Sequence, residues 1–132
     1  MNPILNRFSS YSHLLPQLVL AITFFVHGFP KLTNPDPMVE MGMALLIVYL
    51  IGLFEVGGAI LLLLGITKDW ATRIGSLMLA VIMLGAIFMV HLQNGWNNMN
   101  NGFEWQALIL AVCLMYATKG NTINKGDENG EA

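Results

Sequence analysis

The sequence has little charge: lysine, arginine, aspartate and glutamate together make up 11% of its 132 residues, against roughly 25% in an ordinary soluble protein. Hydrophobic residues make up 55% of it. The length limits the chain to one domain. A single domain so poor in charge and so rich in apolar residues is typical of an integral membrane protein, with the lipid bilayer as its first partner.

Runs of basic residues are also lacking. Six basic and eight acidic residues give a formal net charge of −2, and the basic ones are scattered. A protein that follows a nucleic-acid backbone needs a basic patch or stripe. We therefore expect no nucleic-acid partner.

Cysteine is almost absent, since Cys113 is the only one. No intrachain disulfide is possible, and the apolar surroundings of Cys113 predict a packing residue. The apolar run over residues 14–26 ends in His-Gly-Phe-Pro-Lys, without a small-x-small cleavage site. We therefore expect this run to be retained as a membrane span and not removed as a signal peptide.

What the sequence does contain is apolar runs of near-membrane length, at about residues 14–29, 43–65, 71–92 and 103–118. We expect the first to stop near Pro30, and the Asn-Pro-Asp-Pro segment at 34–37 predicts a turn. The segment 93–102, rich in Asn and Gly, predicts a loop. A polar segment, 1–13, precedes these runs, and a polar tail, 119–132, follows them. We expect the tail to be disordered. The predicted fold is all-α, an integral membrane four-helix bundle.

The basic residues predict its orientation. Four spans place both termini and the loop between spans two and three on one side, where the basic residues are Arg7, Lys68, Arg73, Lys119 and Lys125. The other side has only Lys31. By the positive-inside rule, the N- and C-termini are expected in the cytoplasm.

Glu55 is the most unusual residue, because it places a carboxylate in the middle of the apolar stretch 51–64. An ionisable group inside a membrane helix is a functional hypothesis by default. Helical spacing puts Gly52 and Gly58 on the same side as Glu55, so we expect this side to face other helices. The structural alternative is a protonated glutamic acid bonded to a backbone carbonyl or to Thr23.

Four more polar residues are expected near the end of the bundle that lies away from the termini. His27 and Lys31 close span one, His91 closes span three and Glu104 opens span four, with Glu55 deeper below them. Helical bundles build cofactor and metal sites from side chains on facing helices. Each residue near the membrane surface could equally be an interfacial anchor.

Three kinds of chemistry fit these residues. Glu55 and His91 are candidate catalytic residues that pass protons to or from a redox cofactor, while His27, Lys31 and Glu104 are candidates for cofactor binding. His27, His91, Glu55 and Glu104 are also candidate ligands for a transition metal, although no motif such as HExxH connects them. A haem between His27 and His91 is the third possibility.

Two segments and two later residues resemble a known family. They are FFVHGFPKL at 24–32, GLFEVGGAILLLLGITKDWA at 52–71, His91 before a glycine-containing loop, and Glu104. The combination resembles the DoxX family of small four-helix bacterial membrane proteins, over residues 14–117.

The resemblance implies a multi-pass protein of the bacterial inner (cytoplasmic) membrane. The family takes its name from a subunit of an archaeal thiosulfate:quinone oxidoreductase, and other members look like parts of membrane redox or oxidative-stress systems. A quinone is therefore the implied cofactor, and the five polar residues discussed above match the family's polar positions. Family members often carry an arginine early in span one, where this sequence has Gln17.

Three functions follow as hypotheses. The first is quinone-linked electron transfer or redox-stress defence, and whether the chain is itself a subunit of a quinone-dependent oxidoreductase is left open. The second is a non-catalytic membrane anchor or scaffold for a separate soluble or membrane oxidoreductase subunit. The third is a proton-coupled small-molecule transporter, which would need a homo-oligomer because four spans leave little room for alternating access.

Overall fold

The computed structural model of the protein describes residues 3–121, and their regular structure is entirely helical. Lys125 and the predicted disorder of the tail beyond residue 121 lie outside the described residues. The α-helices are α1 (Pro3–Ser9), α2 (Leu14–Thr33), α3 (Asp36–Glu40), α4 (Leu45–Leu64), α5 (Asp69–Ala86) and α6 (Glu104–Lys119). The all-α prediction is confirmed.

Within residues 3–121, three helical segments are long and apolar enough to cross a membrane: Leu14–Thr33, Leu45–Leu64, and α5 with its continuation, Asp69–Asn94. The fourth predicted span corresponds to α6, which has 16 residues. At 1.5 Å per residue α6 is about 24 Å long, less than the ~30 Å of a hydrocarbon core. A fourth span therefore stays a prediction.

The predicted end of the first span near Pro30 is wrong. Helix α2 continues through Pro30 to Thr33, and its last turn closes through Asn34 N–H donating to Pro30 O at 2.7 Å. A proline this near a helix end removes only one backbone hydrogen bond. The segment predicted as a turn is partly helical as well, since α3 begins at Asp36 with a proline in its first turn, where the missing donor costs little.

Adjacent long helices pack in chain order, α2 on α4, α4 on α5 and α5 on α6. One cluster of buried side chains draws on all four helices: Leu20, Ala21, Phe24, Ala59, Leu62, Leu79, Ala80, Met83, Cys113 and Tyr116. Gly52 and Gly58 are buried on the same side as Glu55, and Cys113 is buried in the cluster. These observations confirm that this side of α4 faces other helices and that Cys113 is a packing residue.

Glycine pairs allow this close packing. A Cβ on Gly28 of α2 would lie 2.6 Å from the Glu55 Cβ and 3.1 Å from the carbonyl oxygen of Gly52. Between α4 and α5, a Cβ on Gly75 would lie 2.8 Å from the Gly58 carbonyl oxygen. Small residues at helix contacts let backbones approach, which is how membrane helices gain packing energy.

A polar clasp joins the start of α5 to the end of α6. Arg73 donates to the carbonyl oxygens of Thr118 and Lys119, at 2.5 and 3.1 Å, and its Nε lies 2.8 Å from Asp69 Oδ2. The backbone N–H of Asn121 donates to Asp69 Oδ1 at 2.6 Å. Arg73 therefore satisfies carbonyls that a helix end leaves without donors.

Replacing Arg73 by alanine is expected to destabilise the protein by about 1–2 kcal/mol, since bonds to charged donors are worth about 1.5–3 kcal/mol and this side chain is partly exposed. Unfolding by denaturing detergent, followed by circular dichroism, measures the change. Lys68→Ala removes an exposed cation at the start of the same helix and serves as the control. Equal losses in the two variants would contradict a capping role for Arg73.

The connection from α5 to α6 begins as a π-helical turn, Ile87–His91, and continues through short 3-10 turns. The loop closes on itself, because the N–H groups of Gly102 and Phe103 donate to Asn97 O and Gly95 O. The predicted loop between the last two long helices is confirmed. It returns the chain to α6 beside the end of α5.

Candidate functional site

The central feature of the site is an ion pair between α2 and α4. Lys31 Nζ lies 2.6 Å from Glu55 Oε2, and the two side chains are only 15% and 6% exposed. Lys31 Nζ also donates to the carbonyl oxygen of His27 at 2.8 Å. Glu55 therefore pairs with Lys31. The structural alternative from the sequence was a hydrogen bond to a backbone carbonyl or to Thr23.

Helix geometry explains how the two residues meet. Side chains on an α-helix point back toward its N-terminus, so the long Lys31 side chain reaches one turn down α2 to the level of His27. Gly28 and Gly52 bring the α2 and α4 backbones together at this level. Glu55, one turn after Gly52 on α4, then lies within reach of the ammonium group.

The ion pair forms part of the wall of a cavity of about 190 Å³. Its polar lining residues are Thr23, His27, Lys31, Glu55 and Gln106, and its apolar ones are Phe24, Met83, Ala86 and Ile109. Helices α2, α4, α5 and α6 all contribute. We refer to it as the Lys31–Glu55 cavity.

A larger concavity of about 850 Å³ lies beside α1. It is open and bordered by exposed residues of the stretch 3–11, among which Arg7 is the only charged one. Without a buried polar group, this surface has less of the character of a binding site than the Lys31–Glu55 cavity.

His91 and Gln106 form a hydrogen-bonded pair behind the cavity. His91 Nδ1 lies 2.8 Å from the carbonyl oxygen of Asn101, which can only accept, so Nδ1 carries the proton. In neutral imidazole Nε2 is then an acceptor, and Gln106 Nε2 donates to it at 3.1 Å. Gln106 Oε1 is buried and has no hydrogen-bond partner within residues 3–121.

The structure brings together some of the predicted site residues. His27, Lys31 and Glu55 line the same cavity, and His91 reaches it through Gln106. Glu104 begins α6 but is not among the cavity-lining residues.

Gln106 is the lining residue that the sequence analysis missed. A polar residue in the first turn of a weakly apolar helix looks like an ordinary interfacial residue. The sequence signal that could have identified Gln106 is its position one turn before Ile109, another lining residue, on the same face of α6.

Metal and haem fit this arrangement poorly. In the part of the chain that the structure describes, no three His, Cys, Asp or Glu side chains gather closely enough to hold a metal ion. Both ring nitrogens of His91 are already engaged, so neither can face an iron as the ring stands. The four candidate ligands proposed from the sequence, His27, His91, Glu55 and Glu104, therefore do not form a ligand set here.

A second polar group, the Gln17 cluster (Gln17, Thr72 and Ser76), is buried near the opposite end of the helices. Gln17 Nε2 donates to the Leu62 carbonyl oxygen at 2.7 Å and to Thr72 Oγ1 at 3.1 Å. Leu62 follows Glu55 by about two helical turns, some 10 Å. Residues of the apolar cluster lie between these levels, so the two polar centres are separated.

Comparison with known proteins places these observations in a family. No solved structure is a significant match. The chain is 28% identical to "Putative oxidoreductase CatD" of Bacillus subtilis (strain 168), over 137 aligned positions that cover 96% of this chain and 97% of the relative. The sequence pattern of the DoxX family matches residues 13–92, which include both partners of the ion pair. The chain therefore belongs to the DoxX family and is a membrane protein.

Proposed function

We propose that this protein takes part in quinone-linked electron transfer in the bacterial inner membrane and binds the quinone head group in the Lys31–Glu55 cavity. The observation that carries the proposal is the buried ion pair in the wall of a largely apolar cavity. A pair of charges is costly to keep out of water. Its position in a cavity, and not in a sealed helix contact, favours a role toward a ligand.

The size and charge of the cavity suit a single ring. An apolar cavity of about 150 Å³ can hold benzene, and this one has about 190 Å³. The charges of Lys31 and Glu55 cancel each other, so the expected ligand is neutral. Phe24, Met83 and Ile109 provide the apolar surface that such a ring needs.

Each polar residue has a defined task in this proposal. Two of the three Lys31 ammonium donors bind His27 O and Glu55 Oε2, and the third can orient a carbonyl oxygen of the ligand. Glu55 holds the proton that such a ligand gains or loses. A bound quinone supplies reversible two-electron, two-proton chemistry, whereas the chain binds it, orients it and holds the proton.

The proposal includes four spans with both termini in the cytoplasm. Helix α6 shares the buried cluster with the three longer helices, and the Arg73 clasp fixes its last residues beside the start of α5. Helix α6 therefore runs back along α5. With four crossings, the side that bears Arg73 and Lys119 is also the side richer in basic residues.

Filling the cavity tests the proposal. Binding of a short-chain quinone to protein in lipid nanodiscs, measured by quenching of tryptophan fluorescence, is expected to show a saturable component. Ala86→Phe should abolish that component, because Ala86 lines the cavity. Ala111→Phe makes the same change at an exposed position of α6 and should leave it intact.

Two results would contradict a quinone site in this cavity. One is quenching that rises linearly with quinone concentration in the wild type, and the other is equal quenching in the two phenylalanine variants. Stoichiometric capture of an oxidoreductase by the same ligand-free protein would then support the anchor or scaffold hypothesis.

A further inference from the structure

The orientation of the Gln106 amide is fixed from behind. Asn101 O receives His91 Nδ1–H at 2.8 Å and also the Asn94 side-chain amide at 3.1 Å. Because this carbonyl oxygen can only accept, His91 Nδ1 must carry the proton and Nε2 is unprotonated in the neutral ring. The amide group of Gln106 must turn its NH₂ toward that nitrogen.

Gln106 Oε1, at the other end of the amide, is buried and has no partner within the described residues, although Gln106 lines the Lys31–Glu55 cavity. A buried acceptor that lacks a donor is costly, about 1–3 kcal/mol when its desolvation is not repaid. Because Gln106 lines the cavity, a ligand bound there is the candidate donor.

We propose that Gln106 is a specificity-determining residue that presents a carbonyl acceptor to the cavity, so that the site selects a ring bearing a hydroxyl donor. This inference rests on the proposed function and deepens it: the preferred ligand is the reduced hydroquinone and not the quinone, whose ring oxygens only accept. His91 is a positioning residue, since it acts on the ligand only through Gln106.

The other charged and titratable groups do not remove this preference. His27, Lys31 and Glu55 also face the cavity, but Lys31 already donates to Glu55 and to the His27 carbonyl oxygen. The ion pair thus offers one remaining lysine donor, which a hydroxyl oxygen can accept as well as a carbonyl can, and a Glu55 carboxylate that can only accept. Gln106 and Glu55 therefore both favour the hydroxyl form over the quinone.

Three probes with the same short alkyl chain test the preference: a hydroquinone, its quinone and its dimethyl ether, which keeps the oxygens but has no donor. Wild-type protein in nanodiscs is expected to bind the hydroquinone about tenfold more tightly than either of the others. Gln106→Met keeps the length of the side chain and should lower the preference at least about twofold, because only the Glu55 acceptor remains. A preference unchanged in this variant would overturn the role of Gln106. Gln93→Met changes an exposed glutamine in the nearby loop and should keep the preference.

His91→Phe supplies a readout that a merely structural role would not change. It should lower the preference for the hydroquinone although Gln106 is still present, because the amide is then free to turn. Unchanged affinity of Gln106→Met for the dimethyl ether would show that the variant still forms the cavity.

The results separate the two proposals. Equal affinities of the three probes in the wild type, with saturable binding lost in Ala86→Phe, would overturn the role of Gln106 and leave the quinone site standing. Absence of saturable binding for all three probes would overturn both.

Discussion

Replacing Lys31 by methionine is expected to destabilise the protein by about 3–5 kcal/mol, because it leaves the buried Glu55 carboxylate without its partner. Glu55 lies in the middle of α4 with a side chain that is 6% exposed, so it cannot turn toward water. Unfolding by denaturing detergent at neutral pH, with the free energy taken from the transition, measures the loss.

The reverse single change should cost less. In Glu55→Gln the unpaired group is Lys31, which lies in the last turn of α2 and is 15% exposed. A long lysine side chain near a helix end can extend toward the membrane surface. We therefore expect the Glu55→Gln variant to be more stable than Lys31→Met.

The double variant Lys31→Met, Glu55→Leu tests whether the broken ion pair causes these losses of stability. Removing both charges should restore most of the stability, since an apolar pair of similar size often replaces a buried ion pair without loss. Lys68→Met, at an exposed lysine, should be close to the wild type. A double variant as unstable as Lys31→Met would show that the pair is not the source of the effect.

Replacing Gly75 by leucine is expected to have a second large effect, a loss of at least about 3 kcal/mol or failure to assemble the helices. A Cβ at this position would lie 2.8 Å from the Gly58 carbonyl oxygen and 2.8 Å from the Leu61 Cβ. Backbone cannot move aside as the tip of a side chain can, so α5 would have to separate from α4.

Gly85 provides a matched control on the same helix. A Cβ there meets no atom within 4 Å, and glycine is a poorer helix former than leucine by up to about 1 kcal/mol. Gly85→Leu should therefore be neutral or slightly stabilising. The detergent unfolding midpoint and the yield of monodisperse protein compare the two variants, and similar losses would contradict a specific close approach at Gly75.

The fold was predictable from the sequence to the extent that it depends on composition and helical period. Apolar runs with few charged residues predicted the long helices, and the spacing of Gly52, Glu55 and Gly58 identified the side of α4 that is buried. The end of α2 was misjudged, because the rule that proline stops a helix is weak within its last turn.

The site was only partly predictable, since its contacts depend on how the helices align. Nothing in the sequence sets the α2–α4 register that brings Lys31 to Glu55. The direction of His91 depends on a π-helical turn, Ile87–His91, a feature that often occurs at functional sites but has no simple sequence signature. Gln106 became visible only when His91 was seen to hold it.

The separation of the Lys31–Glu55 cavity from the Gln17 cluster has an electrical consequence. Moving one charge fully across the membrane is worth about 2.3 kcal/mol per 100 mV. Among the described residues, the buried apolar side chains of Leu20, Ala59 and Leu79 lie between the two polar centres. Under the proposed function, a proton that reaches Glu55 would therefore enter and leave by the same face. The net charge that this cavity moves across the membrane would then be close to zero.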